Sequence, residues 1–424
     1  MYIIQPPLFD FEAFIAEKGS DRLLVVLEAL NAEKLIAAVE AEHWTGRKGY
    51  PVRGMWSALV AGVVYQCRST AELVRLLKRD KDVRMVCGFC GKDEVPGEDA
   101  LGRFLKKLMK HEGLLEGCFD SLVQRLRELL PGFGQMLVAD STDIKAYSDG
   151  DRRIPSDPDA RWGAKKVVHK DGETKAEAEG ESGPKEGKKR DLYYWFGYKL
   201  HLLVDGVYEL PASFVVTGAN ESDTKQMGIL LEKAKVDRPG AKPRAVIADK
   251  GYDSKSNCRL IFDEYGAAPI IPLIDRGVKE QPDICNALGT PVCACNLEMV
   301  FWGRDGGYLK YRCPQAVGKG LCTSRVPCTA SPYGYVLKLP VAKDPRRYAP
   351  VPRQSKKWQR LYRLRTAVER VNSRVKGLLG LGRITVRGIT KVMVRALLSL
   401  LVMIAAAVSM AQRDRLRELR ALVT

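Results

Sequence analysis

Two short apolar runs that each end in an aspartate constrain the fold of this chain more than any other feature. Residues 136–139 precede Asp140, and residues 245–248 precede Asp249. Apolar runs without polar alternation are typical of strands that are covered on both faces, as in the parallel part of an α/β sheet. The sequence therefore predicts a buried central sheet with an aspartate at the end of each of two strands.

The order of elements around these runs narrows the fold class. The predicted elements after the first run are a hairpin over 196–216, a helix over 224–235, the second run, a helix over 254–265 and a strand over 269–272. The hairpin is predicted because its centre is Asp205-Gly206, a favoured two-residue turn. Strand, hairpin, helix, strand, helix and strand is the order of the ribonuclease H-like fold. We therefore expect an α/β protein with a ribonuclease H-like core, a mixed sheet with helices.

The remaining composition divides the chain into four predicted regions. Residues 1–130 carry apolar positions at helical spacing and are predicted as an all-helical DNA-binding or accessory domain. Residues 131–274 form the first part of the core, in which the charged segment 150–192 is predicted as a disordered loop. Residues 275–350 are predicted as a β-rich, cysteine-containing insertion. Residues 351–424 complete the core with two helices.

Two segments in the helical regions require an interpretation. The segment 96–107 reads as a turn followed by a helix, which is compatible with a DNA-contacting helix-turn-helix and equally with an ordinary bundle helix. The apolar run 396–411 is shorter than the roughly 20 residues of a membrane span, so a buried helix is predicted. With eleven cysteines and no visible signal peptide, we expect a cytoplasmic protein with free thiols or metal ligands.

Positive charge is concentrated near the C-terminus. The chain has 69 Lys and Arg against 51 Asp and Glu, and residues 342–395 contain sixteen of these bases but only two acids, Asp344 and Glu369. Clustered bases favour a polyanionic partner such as nucleic acid, because they release counterions from phosphates. Net charge alone would also fit a basic protein without such a partner, but the isolated Glu369 within the basic segment indicates a specific role.

The helix predicted over 356–379 places this acid among polar groups. At about 100° per residue, Tyr362, Arg365, Glu369 and Lys376 fall within one narrow stripe, opposite the apolar residues. The bases that flank the stripe on one side, and that are also predicted to contact DNA, are Arg363, Arg370 and Arg374. An ordinary amphipathic surface helix would also place charges opposite its apolar face. The single acid, together with two strand-terminal aspartates elsewhere, favours a functional stripe.

The spacing Tyr-x2-Arg-x3-Glu-x6-Lys resembles the signature helix of a large group of bacterial insertion-sequence DDE transposases. Residues 138–142 and 247–253 resemble the two aspartate motifs of that group, and residues 95–98 with Arg103-Phe104 resemble its helical accessory region. The resemblance implies an enzyme that cuts transposon ends and joins them to target DNA. It also implies double-stranded DNA as partner, a homodimer in the synaptic complex, and phosphate contacts by Tyr362, Arg365 and Lys376.

The chemistry of phosphodiester cleavage supports this interpretation. Two divalent cations can activate the attacking oxygen and neutralise the leaving one, and Mg²⁺ or Mn²⁺ prefers carboxylate oxygens. We predict that Asp140 bridges both ions, Asp249 holds one and Glu369 the other. A single aspartate at a strand end is usually a turn or capping residue, and the nearby Asp143, Asp223 and Asp253 are interpreted as capping or supporting residues.

Two alternatives and one further site remain open from the sequence. A structure-selective nuclease of the same fold would cut DNA without joining it, and a DNA-binding regulator would carry vestigial acids. The insertion could hold a structural Zn²⁺ through cysteine thiolates, although the spacing departs from paired Cys-x2-Cys motifs. The candidate ligands are Cys293, Cys295, Cys313, Cys322 and Cys328, with Cys285 before them.

Overall fold

The two predicted apolar runs form neighbouring parallel strands in the middle of a mixed sheet. The computed structural model describes residues 21–42, 49–166, 192–235, 242–274, 285–286, 289–324, 326, 328–416 and 419. The six strands found for this sheet in those ranges are β1 (Met136–Lys145), β2 (Arg161–Lys166), β3 (Leu192–Asp205), β4 (Pro211–Gly218), β5 (Ala245–Ala248) and β6 (Ala268–Ile270). β1 pairs in parallel with β5, and β5 in parallel with β6. β3 is antiparallel to β1, β4 and β2.

The register of the sheet follows from the sequence pattern. Ala139 lies opposite Ala248, and the apolar residues of β1 and β5 before the aspartates are buried or nearly so. Gly197 on β3 has a φ of +153°, and a Cβ atom there would lie 2.2 Å from the carbonyl oxygen of Ile144. Only glycine therefore allows β3 to approach β1 so closely at this point.

The prediction of a disordered loop over 150–192 is wrong for its first part. β2 pairs with residues 192–197 of β3, and the rings of Trp162 and Phe196 pack with centroids 5.6 Å apart. The Tyr198 hydroxyl donates to Asp157 at 2.5 Å. These few aromatic and buried polar contacts order the segment, although its overall composition is typical of a loop. The rest of the predicted loop, residues 167–191, lies outside the described residues.

The helices before the sheet pack around one long helix from the other end of the chain. The N-terminal helices are α1 (Asp21–Ala29), α2 (Glu33–Ala41), α3 (Val52–Val64), α4 (Thr70–Arg79), α5 (Lys81–Val86), α6 (Glu98–Lys110) and α7 (Glu112–Leu129). The last helix, α12 (Ile389–Gln412), contacts α7, α1 and β4. The N-terminal helices and one face of the sheet therefore share a continuous hydrophobic core.

Helix α12 is long and apolar enough to span a membrane, and 94% of its apolar stretch is buried inside the protein. It is a core helix, as its serine-interrupted sequence predicted. Helix α6, which contains most of the segment considered as a helix-turn-helix, buries Leu101, Phe104 and Leu108 in the same core. Its buried face is that of a bundle helix, and a contact between its exposed face and DNA stays a prediction.

The remaining helices flank the sheet. They are α8 (Asp223–Lys233), α9 (Lys255–Arg259) with a π-helical turn over Leu260–Glu264, α10 (Lys356–Arg363) and α11 (Thr366–Gly377). The continuous helix predicted over 356–379 is thus a pair of helices. Leu364, Arg365 and Ala367 each donate a backbone hydrogen bond to the residue three positions earlier, and Thr366 Oγ1 donates to the Arg363 carbonyl. These bonds form a tightened turn between the two helices, and the periodic pattern of the sequence does not encode that turn.

The insertion forms a second, three-stranded antiparallel sheet. Its strands are β7 (Val300–Asp305), β8 (Tyr308–Arg312) and β9 (Val336–Pro340). A small hydrophobic cluster that includes Leu309, Tyr311 and Val341 lies beneath it. Arg346 binds the buried carboxylate of Asp253 through two nitrogens, at 2.8 and 2.7 Å. This ion pair joins the end of the insertion to the loop that follows the second aspartate motif.

Candidate active site

Asp140 and Asp249 both follow the last residue pair of the parallel strands β1 and β5. Asp249 comes directly after the end of β5 as predicted, whereas Asp140 lies in the middle of β1, which continues to Lys145. Each follows a residue of the Ala139–Ala248 pair in the register of β1 and β5. The Asp140 carboxylate accepts a hydrogen bond from the Ser141 amide at 2.8 Å, and the Asp249 carboxylate accepts one from the Gly251 amide, also at 2.8 Å. Both side chains are therefore oriented by the backbone next to them.

These two carboxylates share an electrostatic environment that disfavours their charge. Burial and, second, the charge of Asp249 raise the pKa of Asp140 to about 6. Burial also raises the pKa of Asp249, with repulsion from Asp223 adding to it. Two adjacent buried carboxylates repel each other, so a cation between them would stabilise both in their ionised forms.

The third acid of the prediction, Glu369, is on α11 and its carboxylate is held by an arginine. Arg365 Nη2 lies 2.6 Å from Glu369 Oε1, and the Glu369 side chain is 48% exposed. The charge of Arg365 also lowers the pKa of Asp140 and of Asp249, against the larger effect of burial. The guanidinium thus acts on all three predicted acids, and in this conformation it is the cation that Glu369 binds.

Tyr362 and Lys376, the other members of the predicted stripe, are placed on either side of this pair. Burial raises the pKa of Tyr362, whose phenol lies in the electrostatic field of all three acids, and its ring stacks on Trp358 at 4.8 Å. Lys376 donates to Asp143 at 2.9 Å. Because Asp143 lies three residues after Asp140 on β1, this bond holds the end of α11 against the same strand.

The three arginines predicted to flank the stripe have different environments. Arg370 Nε donates to the buried Glu209 carboxylate at 2.7 Å, and Arg374 Nη2 donates to the Glu209 carbonyl. These two side chains fasten α11 to the turn between β3 and β4. Arg363 is exposed at the end of α10. Contact between these arginines and DNA stays a prediction, and for Arg370 and Arg374 the structure adds an anchoring role that periodicity did not indicate.

Asp223 is a further acidic residue of this region, which the sequence suggested only as a supporting or capping residue. Its Oδ1 lies 3.0 Å from Lys199 Nζ and 3.7 Å from Nδ1 of the buried His201. Burial lowers the pKa of His201 to about 4, so the imidazole is neutral near pH 7. Lys199 and His201 are two positions apart on β3, so their side chains project from the same face of the sheet. That spacing was the only sequence signal for this network.

The donor set fits hard divalent cations, but the present side-chain positions do not complete a site. Asp140 and Asp249 supply only oxygens at one partly buried edge, which is the ligand chemistry that Mg²⁺ and Mn²⁺ prefer. Glu369 is engaged by Arg365. Across the described ranges, no three His, Cys, Asp or Glu side chains lie close enough together to hold a metal ion. The structure therefore places two of the three predicted ligands next to each other, whereas Glu369 is paired with Arg365.

Only some of the cysteines proposed as zinc ligands lie close to one another. Cys295 Sγ and Cys322 Sγ lie 3.3 Å apart, and Cys328 acts electrostatically on Cys322. Cys293 packs against the hydrophobic cluster of the insertion, and Cys313 lies beside Gly334. No three of these thiols converge on one point within the described part of the insertion.

The core is thus an α/β fold in which a mixed sheet carries two neighbouring aspartates and is faced by a basic helix with a glutamate. Residues 131–405 match the family model "Transposase DDE domain", and residues 9–107 match "Transposase domain (DUF772)". The chain therefore belongs to the DDE transposase family, as its motifs suggested.

The other comparisons add little detail. No curated protein matches the sequence. A cryo-EM structure of a piggyBac transposase synaptic complex with hairpin DNA aligns with a TM-score of 0.40 and 11% sequence identity, over 95% of this chain and 79% of that chain. The assignment to the family rests on the two family models.

Proposed function

We propose that this protein cleaves DNA at transposon ends and joins those ends to target DNA in a reaction that depends on divalent cations. The observation that carries the proposal is the placement of Asp140 and Asp249 directly after the last paired residues of β1 and β5, with Arg365 acting on both and paired to Glu369. This arrangement is supported by membership of the DDE transposase family, whose model spans the segment that holds all three acids.

The core is proposed to be ribonuclease H-like. Its support is the strand order β4-β3-β1-β5-β6, in which the first three strands alternate in direction and the last two run parallel to β1. In this arrangement β1 continues past the end of β5, so that Asp140 and Asp249 follow the same residue pair, and helix α11 contacts β1 and β3. The fold thereby gives the two aspartates and the glutamate access to the same side of the sheet.

The chain's own residues have distinct roles in this proposal. Divalent cations, when bound, activate the attacking oxygen and neutralise the leaving oxygen of the phosphodiester. Asp140 and Asp249 would hold such cations, and Glu369 would contribute a third carboxylate when Arg365 is released from it. Arg365 then offers a planar guanidinium to a phosphate of the DNA, and Lys376 offers a mobile charge.

Cleavage and joining are tested with labelled DNA that carries the terminal repeats flanking the gene. The wild-type protein is expected to nick or cut these ends with Mg²⁺ or Mn²⁺ and to join them to a target plasmid. Asp140→Asn and Asp249→Asn are expected to lose at least 10³-fold of the cleavage rate, an estimate of about 4 kcal/mol in the barrier. The matched control is Asp263→Asn, an exposed aspartate on the turn after α9.

The two rival functions predict different products. Cutting without joining, under conditions in which synapsis of two copies occurs, would indicate a nuclease. DNA binding without any cation-dependent nicking would indicate a regulator with vestigial acids. Cleavage that survives Asp140→Asn and Asp249→Asn would contradict the assignment of the active site itself.

A further inference from the structure

A small cavity outside the three-acid site is lined by arginines that have no acidic partner among the described residues. It lies where the N-terminal helices meet the segment that joins α11 to α12, and its volume is about 80 Å³. Arg68, Arg383 and Arg395 line it, and no carboxylate does. Arg395 projects from α12 and is mostly buried, whereas Arg68 and Arg383 are exposed.

Arg395 is the residue that most needs an explanation. Within the described part of the chain its guanidinium makes no hydrogen bond or ion pair, and the only group found to act on its charge is the Cys67 thiol. Burial raises the pKa of Cys67 to about 11, so this thiol stays neutral near pH 7. Taking an unpaired cation out of water is costly, and such a charge normally has an anionic partner.

The backbone around Arg395 is shaped to accommodate it. Gly380 has a φ of +77°, and a Cβ atom at that position would lie 2.8 Å from Arg395 Nη2. A side chain at residue 380 would therefore displace the guanidinium, and glycine permits both the left-handed backbone and the close approach. The loop after α11 is thus fitted to an arginine that, within the described residues, has no protein partner.

The size of the cavity admits a small ligand. Its volume of about 80 Å³ is enough for a few waters or one tetrahedral oxyanion. Three arginines favour phosphate in particular, because guanidinium groups pair with phosphate oxygens through parallel hydrogen bonds.

We propose that this cavity binds a single phosphate group, with Arg395 in its wall and Arg68 and Arg383 at its mouth. The phosphate is supplied either by inorganic phosphate or by the backbone of DNA lying across the junction of the helical region and the core. The site does not depend on the proposed transposase chemistry, since none of the three acids lines it.

Thermal unfolding of the full chain tests the site with inorganic phosphate as the probe. Phosphate is titrated against chloride at constant ionic strength. At about a hundredfold excess over the dissociation constant, the wild-type midpoint should rise by about 3 °C. Arg395→Met should abolish this rise, and Arg75→Gln, an exposed arginine on α4, should leave it unchanged. Without phosphate, Arg395→Met should unfold no lower than wild type, because it removes an unpaired buried charge.

Salt-dependent binding of duplex DNA, measured by fluorescence anisotropy, separates the two sources. If a DNA phosphate occupies the cavity, Arg395→Met should reduce the slope of log affinity against log salt by about 0.9, and inorganic phosphate should compete. If free phosphate occupies it, the slope stays unchanged while the thermal shift persists. Arg383→Gln, at the exposed mouth, should weaken whichever response is seen, even if Arg395→Met does not fold. Absence of both responses in the wild-type protein would overturn the proposal.

Discussion

Replacing Asp140 by asparagine should stabilise the cation-free protein while removing its activity. Burial and the neighbouring Asp249 raise the pKa of Asp140 from 3.8 to about 6. A carboxyl group whose pKa is raised in the folded state favours folding only when it is protonated. The stability that the protonated Asp140 contributes is therefore fully present below pH 3.8 and is lost as pH rises through 6. A shift of about two units corresponds to roughly 3 kcal/mol in the free energy of unfolding at pH 8. At pH 5 the loss of unfolding free energy caused by ionised Asp140 is about half as large.

Asparagine keeps the shape of the side chain and the oxygen that accepts from the Ser141 amide, but it carries no charge. For a chain of this length, 3 kcal/mol corresponds to a rise of about 3 °C in the unfolding midpoint. The assay is thermal unfolding of wild type and Asp140→Asn in chelator at pH 5 and pH 8, then with Mn²⁺. The gain should be larger at pH 8, and Mn²⁺ should stabilise only the wild type. A variant less stable than wild type at pH 8, or a gain independent of pH, would refute the reasoning.

Three further substitutions follow from the contacts described above. Arg365→Gln should increase the affinity of the DNA-free protein for Mn²⁺ in calorimetry, because it frees Glu369 from its 2.6 Å ion pair; unchanged affinity would contradict this. Glu209→Gln should lower the free energy of unfolding by about 2–3 kcal/mol, since it removes a buried partner of two arginines on α11, whereas exposed Glu232→Gln should have little effect in the same denaturation series. Gly197→Ala should prevent soluble expression, because its Cβ would collide with the backbone of β1; a folded variant with native circular dichroism would show that β1 and β3 can move apart.

The features that could be predicted from the sequence are those encoded locally. Residues 136–139 and 245–248 have no polar alternation. Runs of this kind are buried on both faces, which places them in the middle of a sheet that is covered on both sides. The aspartates that end them are therefore forced to the same edge once the strands pair in parallel. The apolar face of α11 was equally predictable, and Val368, Val371 and Val375 are fully buried as expected.

The parts that could not be predicted depend on contacts between distant segments. The tightened turn at residues 364–366, which divides the predicted helix in two, has no signal in the periodic pattern. Arg370 and Arg374 bind Glu209, more than 160 positions earlier in the chain. Periodicity identified the face of the helix on which these bases lie, but it does not identify the partner that faces them.

The loop prediction was wrong over residues 161–166 for a related reason. β2 has a charged, glycine-containing sequence, and it is a strand because β3 offers it a free edge and an aromatic surface. The predicted boundary at residue 130 lies within one continuous hydrophobic core, because α12 packs against N-terminal helices and against β4. Composition describes a segment on its own, whereas the structure of these segments depends on the strand edges and apolar surfaces that the rest of the fold offers them.

The count of bound Mn²⁺ ions in the complex with transposon-end DNA tests the central claim most directly. Electron paramagnetic resonance on the wild-type complex should detect bound Mn²⁺, and Asp140→Asn, Asp249→Asn and Glu369→Gln should each reduce the number of bound ions. Glu369 decides the outcome, since it is the one predicted ligand that the structure holds on an arginine. Wild-type Mn²⁺ occupancy in Glu369→Gln would show that the two aspartates act without it and would contradict a site of three acids.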